Sequence, residues 1–221
     1  MTRPLATRCA AEAAGTALLV GIGTGAIVAG ADVGGIPLIE LAIAQAIAVA
    51  VPVLLFAGTS GAHLNPAVTL SLGTSGRFPW SEVPPYVAAQ CAGALAASVA
   101  VRWSLGPAAA DGATTPHGIG PVLTGLLEFA FTLLLVASVL YLTAPGPAPP
   151  RRLLLLPAAV VGLSAYAIGP LTGSSLNPAR SLGPAIVSGT ATDLGIYVAA
   201  ALAAGALGGV APWLRSYLRR G

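Results

Sequence analysis

The sequence predicts an all-α membrane protein with six transmembrane helices and two short re-entrant half-helices. The first reason is composition, because 56% of the 221 residues are hydrophobic and only 8% are charged. A water-soluble domain carries about 25% charged residues, so most of this surface must face lipid. The second reason is length, because the apolar stretches match one membrane crossing of roughly 20 residues. The third is a short motif that occurs twice, each time before an apolar stretch too short to cross.

The first half contains three predicted spans, at residues 9–30, 38–57 and 84–104. Each span is bounded by Gly, Pro or charged residues, which mark loops. Between the second and third spans lies the apolar stretch 66–72, which is about two helical turns long and too short to cross a bilayer. We therefore predict that this stretch is a re-entrant half-helix.

The second half repeats this order, with predicted spans at residues 119–142, 153–170 and 194–214. A Pro-rich connector, residues 143–152, separates the first two of these spans and is predicted to be non-helical. A second short apolar stretch, residues 178–188, lies between the last two spans. It is predicted to be the other half-helix, because it occupies the matching place in its half.

The positions of the arginines support the count of six spans. All ten basic residues are arginine, and eight of them fall on one side of the membrane if there are six spans. These eight are Arg3, Arg8, Arg77, Arg151, Arg152, Arg215, Arg219 and Arg220. Because cytoplasmic loops are enriched in Lys and Arg, we predict a multi-pass protein of the cell (inner) membrane with both termini cytoplasmic. The exceptions are Arg102 and Arg180. Since the arginines lie at span ends, no nucleic-acid partner is predicted.

The repeated motif is Asn-Pro-Ala, at Asn65-Pro66-Ala67 and again 112 residues later at Asn177-Pro178-Ala179. Asn is a preferred N-cap residue, and Pro suits the first helical position because its missing N–H is not needed there. Each motif therefore predicts the start of a helix. An alternative is that each Asn is only a cap, but capping alone gives no reason for a matched pair.

The two halves are predicted to be inverted repeats within one domain, residues 1–221. The repeats cover about 9–104 and 119–214, and each carries one acid in its first span, Glu12 or Glu128. An odd number of spans in each half gives the halves opposite orientations, as in known inverted-repeat folds. Non-helical backbone at membrane depth persists only where it is buried in protein or lines water. The two loops must therefore meet inside the protein, with their asparagines facing each other.

Six spans with two Asn-Pro-Ala loops resemble the aquaporin, or major intrinsic protein, family. Residues 60–70 and 177–185 carry this resemblance, and the second stretch, extended back to Gly169-Pro170, looks most like plant nodulin-type intrinsic proteins and their bacterial relatives. The resemblance implies an aquaporin-like fold and a homotetramer with one pore per subunit. It also places Arg180 at the outer constriction, donating hydrogen bonds to solutes and repelling cations.

Two facing helix starts also suit a pore that excludes ions. Each helix N-terminus carries about half a positive charge from unsatisfied N–H groups, so cations are repelled there. The amides of Asn65 and Asn177 can donate hydrogen bonds to a passing water or hydroxyl. The hydrogens of that molecule then point away along the pore, which interrupts a chain of proton transfer, as expected for this channel type.

The remaining constriction positions are carried over from the family by counting back from the two asparagines. They are Gln45, Ala165 and Ser174, which lie 20, 12 and 3 residues before the asparagine of their own half. A shift of one residue in this count would put Ser164 or Tyr166 in the place of Ala165.

This set of side chains departs from the better-known members of the family. Water-selective relatives place an aromatic ring and a histidine at the first two positions, and glycerol facilitators use two aromatic rings. Here the residues beside Arg180 are small or polar, so a wider and more hydrophilic opening is predicted. The resemblance then implies a passive channel for water, glycerol, ammonia, or metalloid hydroxides such as arsenous, boric or silicic acid. Alternatives are a water-selective aquaporin and an alternating-access transporter, which inverted repeats also build.

The other polar residues within the spans have simpler interpretations. Glu12 and Glu128 are predicted to accept N–H bonds from the re-entrant loops, with a proton relay as the alternative. His63 is predicted to pack or hydrogen-bond in its loop, because no Cys, His or carboxylate partner for a metal lies nearby. Gln90 is interpreted as a packing residue. Since paired carboxylates, a Ser-His-Asp set and a metal cluster are all lacking, no enzymatic activity, metal or cofactor is predicted.

Overall fold

The computed structural model describes residues 3–146 and 150–218, and within these ranges the chain is helical without β-strands. The described α-helices are α1 (Leu5–Asp32), α2 (Leu38–Ser60), α3 (Pro66–Thr74), α4 (Val83–Leu105), α5 (Pro121–Leu142), α6 (Leu156–Ala167), α7 (Gly169–Thr172), α8 (Pro178–Ser188) and α9 (Leu194–Leu218). Short 3-10 helices lie at Trp80–Glu82 and Arg151–Leu155, and a tight turn with left-handed backbone lies at Ala109–Gly112. Arg219 and Arg220, which entered the prediction of topology, lie outside the described residues.

Six helical segments occupy the positions of the predicted spans. Four of them are long and apolar enough to cross a membrane, namely Leu5–Asp32, Leu38–Ser60, Trp80–Leu105 and Pro121–Leu142. The segments Leu153–Ala167 and Leu194–Val210 are apolar but shorter. The half-helices α3 and α8 have 9 and 11 residues and begin at the two motif prolines.

The predicted fifth span, residues 153–170, is not one continuous helix. α6 ends at Ala167, and α7 begins at Gly169 after a change of backbone conformation at Ile168 (φ −120°, ψ −8°). The interruption follows from Pro170, which lacks the N–H needed to continue the hydrogen-bond ladder of α6. The chain then turns into the second re-entrant loop, residues 173–177.

Each half-helix packs mainly against the last helix of the opposite half, α3 against α9 and α8 against α4. Glycines bring these backbones together, since a Cβ at Gly205 would collide with the carbonyl oxygen of Ala67. A Cβ at Gly183 would lie 2.7 Å from the carbonyl oxygen of Ala94. Small residues are a common way for helices in membranes to approach closely. α2 and α6 pack against each other and also join the halves.

The surface and the interior have the polarity expected of a protein surrounded by lipid. Trp103, Val122 and Leu54 are 88%, 75% and 65% exposed, and they belong to three different helices. The carboxylates of Glu12 and Glu128 are fully buried. Charged groups at membrane depth are costly and normally face the protein interior, so these two glutamates require partners there.

Candidate functional site

The two Asn-Pro-Ala motifs begin the two half-helices, as the sequence predicts. The Oδ1 atom of Asn65 accepts a hydrogen bond from the N–H of Ala67 at 2.8 Å. The Oδ1 atom of Asn177 accepts from the N–H groups of Ala179 and Arg180, at 3.0 and 3.3 Å. Both asparagines are therefore N-caps, and each uses its oxygen for that purpose.

The amide nitrogens of the same two asparagines link the halves. Nδ2 of Asn65 donates to the carbonyl oxygen of Leu176 at 2.8 Å, and Nδ2 of Asn177 donates to that of Leu64 at 2.8 Å. The two re-entrant loops thus meet in a reciprocal contact. Each amide carries two N–H donors, so one remains for a molecule in the adjoining cavity.

The two re-entrant loops share an unusual backbone conformation. Ala62 and Leu64 have φ values of 49° and 55°, and the matching residues Ser174 and Leu176 have 48° and 55°. Residues other than glycine seldom adopt positive φ, and such strain persists only where surrounding contacts hold it. The contacts that hold these loops come from the two buried glutamates.

Glu12 and Glu128 each accept hydrogen bonds from the loop of their own half. The carboxylate of Glu12 accepts from the N–H groups of His63 and Leu64, at 3.0 and 2.7 Å. The carboxylate of Glu128 accepts from the matching N–H groups of Ser175 and Leu176, at 3.0 and 2.9 Å. The hydroxyl of Ser60 also donates to Glu12 at 2.6 Å, and the hydroxyl of Thr172 donates to Glu128 at 2.7 Å. These contacts favour a loop-supporting role over a proton relay.

Two cavities meet beside the loops. The central cavity is lined by Asn65, Asn177 and His63 among others, and it extends to Leu154 at the start of the fifth span. The end cavity is lined by residues that include Ile27, His117 and Pro170. Three side chains line both cavities, namely Gln45, Ser174 and Arg180. These three side chains therefore mark the junction through which a solute would pass from one cavity to the other.

The four constriction residues expected from the sequence all line the end cavity, and Ala165 is the fourth of them. Of its two neighbours, Tyr166 is 53% exposed and lies on the outer surface. Ser164 is fully buried, and its hydroxyl lies 2.7 Å from that of Ser174. Within α6, the side of the helix that carries Ala165 is therefore the one that faces the end cavity.

The guanidinium of Arg180 is held by a loop between α4 and α5. Its Nη1 atom donates to the carbonyl oxygen of Gly112 at 2.8 Å. The loop is strained, with positive φ at each residue from Ala109 to Gly112. An ion pair fixes the loop to α4, because Arg102 Nη1 lies 2.5 Å from Asp111 Oδ2. Arg102 was an exception to the arginine pattern, and its partner here is an acid on the same side.

Comparison with known proteins identifies the family. A family model described as Major intrinsic protein matches residues 2–211. The chain belongs to the major intrinsic protein family. Similar members are Aquaporin NIP1-3 from Oryza sativa subsp. japonica, 38% identical over 195 residues (88% of this chain, 68% of the relative), and Probable aquaporin AqpM from Archaeoglobus fulgidus, 39% identical over 207 residues (83% and 84%).

A solved structure extends the likeness to three dimensions. The X-ray structure of the aquaglyceroporin from Plasmodium falciparum has a TM-score of 0.76 and 26% sequence identity, covering 94% of this chain and 93% of that chain. The predicted family, its nodulin-type relatives and the predicted all-α membrane fold are thereby confirmed. The predicted general function, a channel for water and small solutes, is confirmed by the same family membership.

Sequence reasoning missed several residues that support the site in this family member. Gln90 is more than a packing residue, because its Nε2 donates to Glu12 Oε2 at 2.8 Å and to Thr69 Oγ1 at 2.9 Å. The hydroxyls of Tyr86 and Tyr197 donate to the carbonyl oxygens of Ser60 and Thr172, at 2.9 and 2.6 Å. The two tyrosines are 111 residues apart, close to the 112 of the motifs, and that spacing was a usable signal.

His63 lies against aromatic rings in this family member. Its ring centroid is 4.8 Å from that of Phe78 and 5.1 Å from that of Tyr86, and its Nδ1 is 3.3 Å from Thr69 Oγ1. Across the part of the chain that the structure describes, no group of three or more His, Cys, Asp or Glu could hold a metal ion.

Proposed function

We propose that this chain is a passive pore with a wide, hydrophilic filter that carries water, glycerol and metalloid hydroxides and excludes protons and ions. The observation that carries the proposal is the junction of the two cavities at Gln45, Ser174 and Arg180, with only a methyl group at Ala165 beside it. A small side chain at that position leaves room for a solute larger than water.

The chemistry of the junction suits a neutral molecule with several hydroxyl groups. Arg180 supplies N–H donors and a fixed positive charge, which repels cations. Gln45 supplies an amide oxygen as acceptor. Ser174 supplies a hydroxyl, which can donate or accept a hydrogen bond. Beyond the junction, the remaining N–H groups of Asn65 and Asn177 can donate hydrogen bonds to an oxygen of the same molecule. A polyol or a trihydroxy acid can satisfy donors and acceptors together.

A flux assay with a matched pair of variants tests this proposal. Purified protein in liposomes is expected to raise the permeability to water, to glycerol and to at least one of boric or arsenous acid. Ala165→His places a ring on the cavity wall and is expected to lower glycerol permeability by about tenfold or more, with a smaller effect on water. Tyr166→His introduces the same residue on the outer surface and serves as control. Fast water flux with no solute flux above empty liposomes would show a water-selective pore instead.

We further propose that both termini are cytoplasmic, in the cell (inner) membrane, and that the two inverted repeats cover about 9–104 and 119–214. The arginine distribution supports this orientation. The pairing of Arg102 with Asp111 supports it as well, because the charge of this exceptional arginine is compensated where it lies. The homotetramer that the family resemblance implies stays a prediction.

A further inference from the structure

The side chain of Gln45 contacts helix α1 at Gly23, one of the buried glycines of that helix. Its Nε2 atom donates to the carbonyl oxygen of Gly23 at 2.8 Å. A Cβ added to Gly23 would lie 2.8 Å from Gln45 Oε1 and 3.6 Å from Gln45 Cδ. Real Cβ atoms seldom approach that closely, so the present position of Gln45 depends on the missing side chain at Gly23.

We propose that Gly23, outside the four constriction positions, is a specificity-determining residue of the pore. It lets the Gln45 side chain fold back against α1 and so keeps the junction of the two cavities open. This inference rests on the proposed function, because it concerns which solutes pass the same filter.

The direction of any displacement follows from the surroundings. Gln45 lines both cavities, so a side chain pushed away from α1 has open space towards the path of the solute. The side chain is flexible, and its tip can turn without moving the backbone. A methyl group at position 23 would therefore narrow the junction while leaving the fold in place.

Gly23 also fixes which end of the Gln45 amide faces the solute. A backbone carbonyl can only accept, so the amide nitrogen is the atom that must point towards Gly23. The Oε1 atom of Gln45 has no hydrogen-bond partner among the described residues and is not sealed from the cavities. Gln45 Oε1 thus supplies an acceptor to a junction that Arg180, a donor, also lines. A solute that donates as well as accepts is favoured by this pair.

The test compares Gly23→Ala with Gly25→Ala on the same helix. Both changes replace a helical glycine with alanine, so both alter helix propensity equally. A Cβ at Gly25 meets its nearest neighbour, Val101 Cγ2, at 3.9 Å, an ordinary contact. In liposomes, Gly23→Ala is expected to lower glycerol permeability by about tenfold, the effect of one extra carbon in a tight pocket. Gly25→Ala should change it by no more than about twofold.

A double variant separates a narrowed junction from general damage. Gly23→Ala combined with Gln45→Ala removes the displaced side chain, so glycerol permeability should return to that of Gln45→Ala alone. Equal glycerol permeability for Gly23→Ala and Gly25→Ala would overturn the inference. So would a double variant that stays as slow as Gly23→Ala.

A failure of the Gly23 inference can be distinguished from a failure of the proposed function. Wild-type glycerol flux tests the function, whereas the difference between the two glycine variants tests Gly23. If the wild type passes only water, the same variants are compared by water permeability, where Gly23→Ala should again be the slower. If the wild type passes nothing, an experimental structure of Gly23→Ala decides the matter. A Gln45 side chain still hydrogen-bonded to the backbone at position 23 would refute the inference.

Discussion

The side chains of Asn65 and Asn177 each hold two parts of the molecule together. Oδ1 of each caps the half-helix that follows it, and Nδ2 donates to the backbone of the opposite loop, at Leu176 or Leu64. A cap needs only the oxygen, whereas the link between the halves needs the N–H group. Aspartate keeps the oxygen and lacks that donor, so it can separate the two roles.

Asn65→Asp and Asn177→Asp are therefore informative at the residue scale. Asp caps helices about as well as Asn, so the half-helices should still start at their prolines. A carboxylate oxygen would then face a carbonyl oxygen, and we expect each variant to lose about 1–3 kcal/mol of stability and much of its water permeability. Thermal unfolding in detergent and stopped-flow light scattering measure the two effects. Wild-type values for both would mean that the asparagines are caps and nothing more.

At the scale of elements, the loop between α4 and α5 connects the protein surface to the filter. Asp111 is 1% exposed, and its Oδ2 is bonded to Arg102 while its Oδ1 has no partner among the described residues. The next residue, Gly112, provides the carbonyl oxygen for Arg180. The position of Arg180, which belongs to the proposed filter, thus depends on an ion pair at the end of α4.

Arg102→Gln should loosen this loop. The carboxylate of Asp111 would be left buried without a cation, which we expect to cost about 1–3 kcal/mol, since the Arg102 side chain is itself partly exposed. Hydrogen exchange in residues 106–118 should accelerate, and glycerol permeability should fall because Arg180 loses its acceptor. Adding Asp111→Asn removes the unpaired charge and should slow the exchange again. Unchanged exchange in Arg102→Gln would show that the ion pair does not hold the loop.

Across the whole molecule, features set by neighbouring residues could be predicted from the sequence, whereas contacts between distant residues could not. The starts of α3 and α8 could be predicted because Asn and Pro act on the residues next to them. The family spacing, counted back from Asn177, led to Ala165, which lines the end cavity. The break at Ile168 was missed because the apolar pattern continues through it. The contact between Gly23 and Gln45 joins residues on two different helices, and no local pattern in the sequence reveals it.

The proposed inverted arrangement of the halves predicts the side of the membrane on which each loop lies. Ser81 follows the first two spans and the first half-helix, whereas Thr192 follows the fifth span and the second half-helix. Both residues are exposed. With six spans and cytoplasmic termini, Ser81 lies inside the cell and Thr192 lies outside. If α8 alone crossed the membrane completely, Thr192 would lie inside as well. If α3 alone crossed, the two residues would exchange sides, and if both half-helices crossed, both residues would lie outside.

Cysteine labelling in intact cells tests that statement. Cys9 and Cys91, both half-buried, are first replaced by alanine, and Ser81→Cys or Thr192→Cys is then introduced alone. A membrane-impermeant maleimide should label Thr192→Cys at once, because the thiol faces the medium. Ser81→Cys should react only after the membrane is permeabilised. Labelling of both in intact cells would mean that the halves are not inverted, and the two half-helices could not then meet from opposite faces at their asparagines.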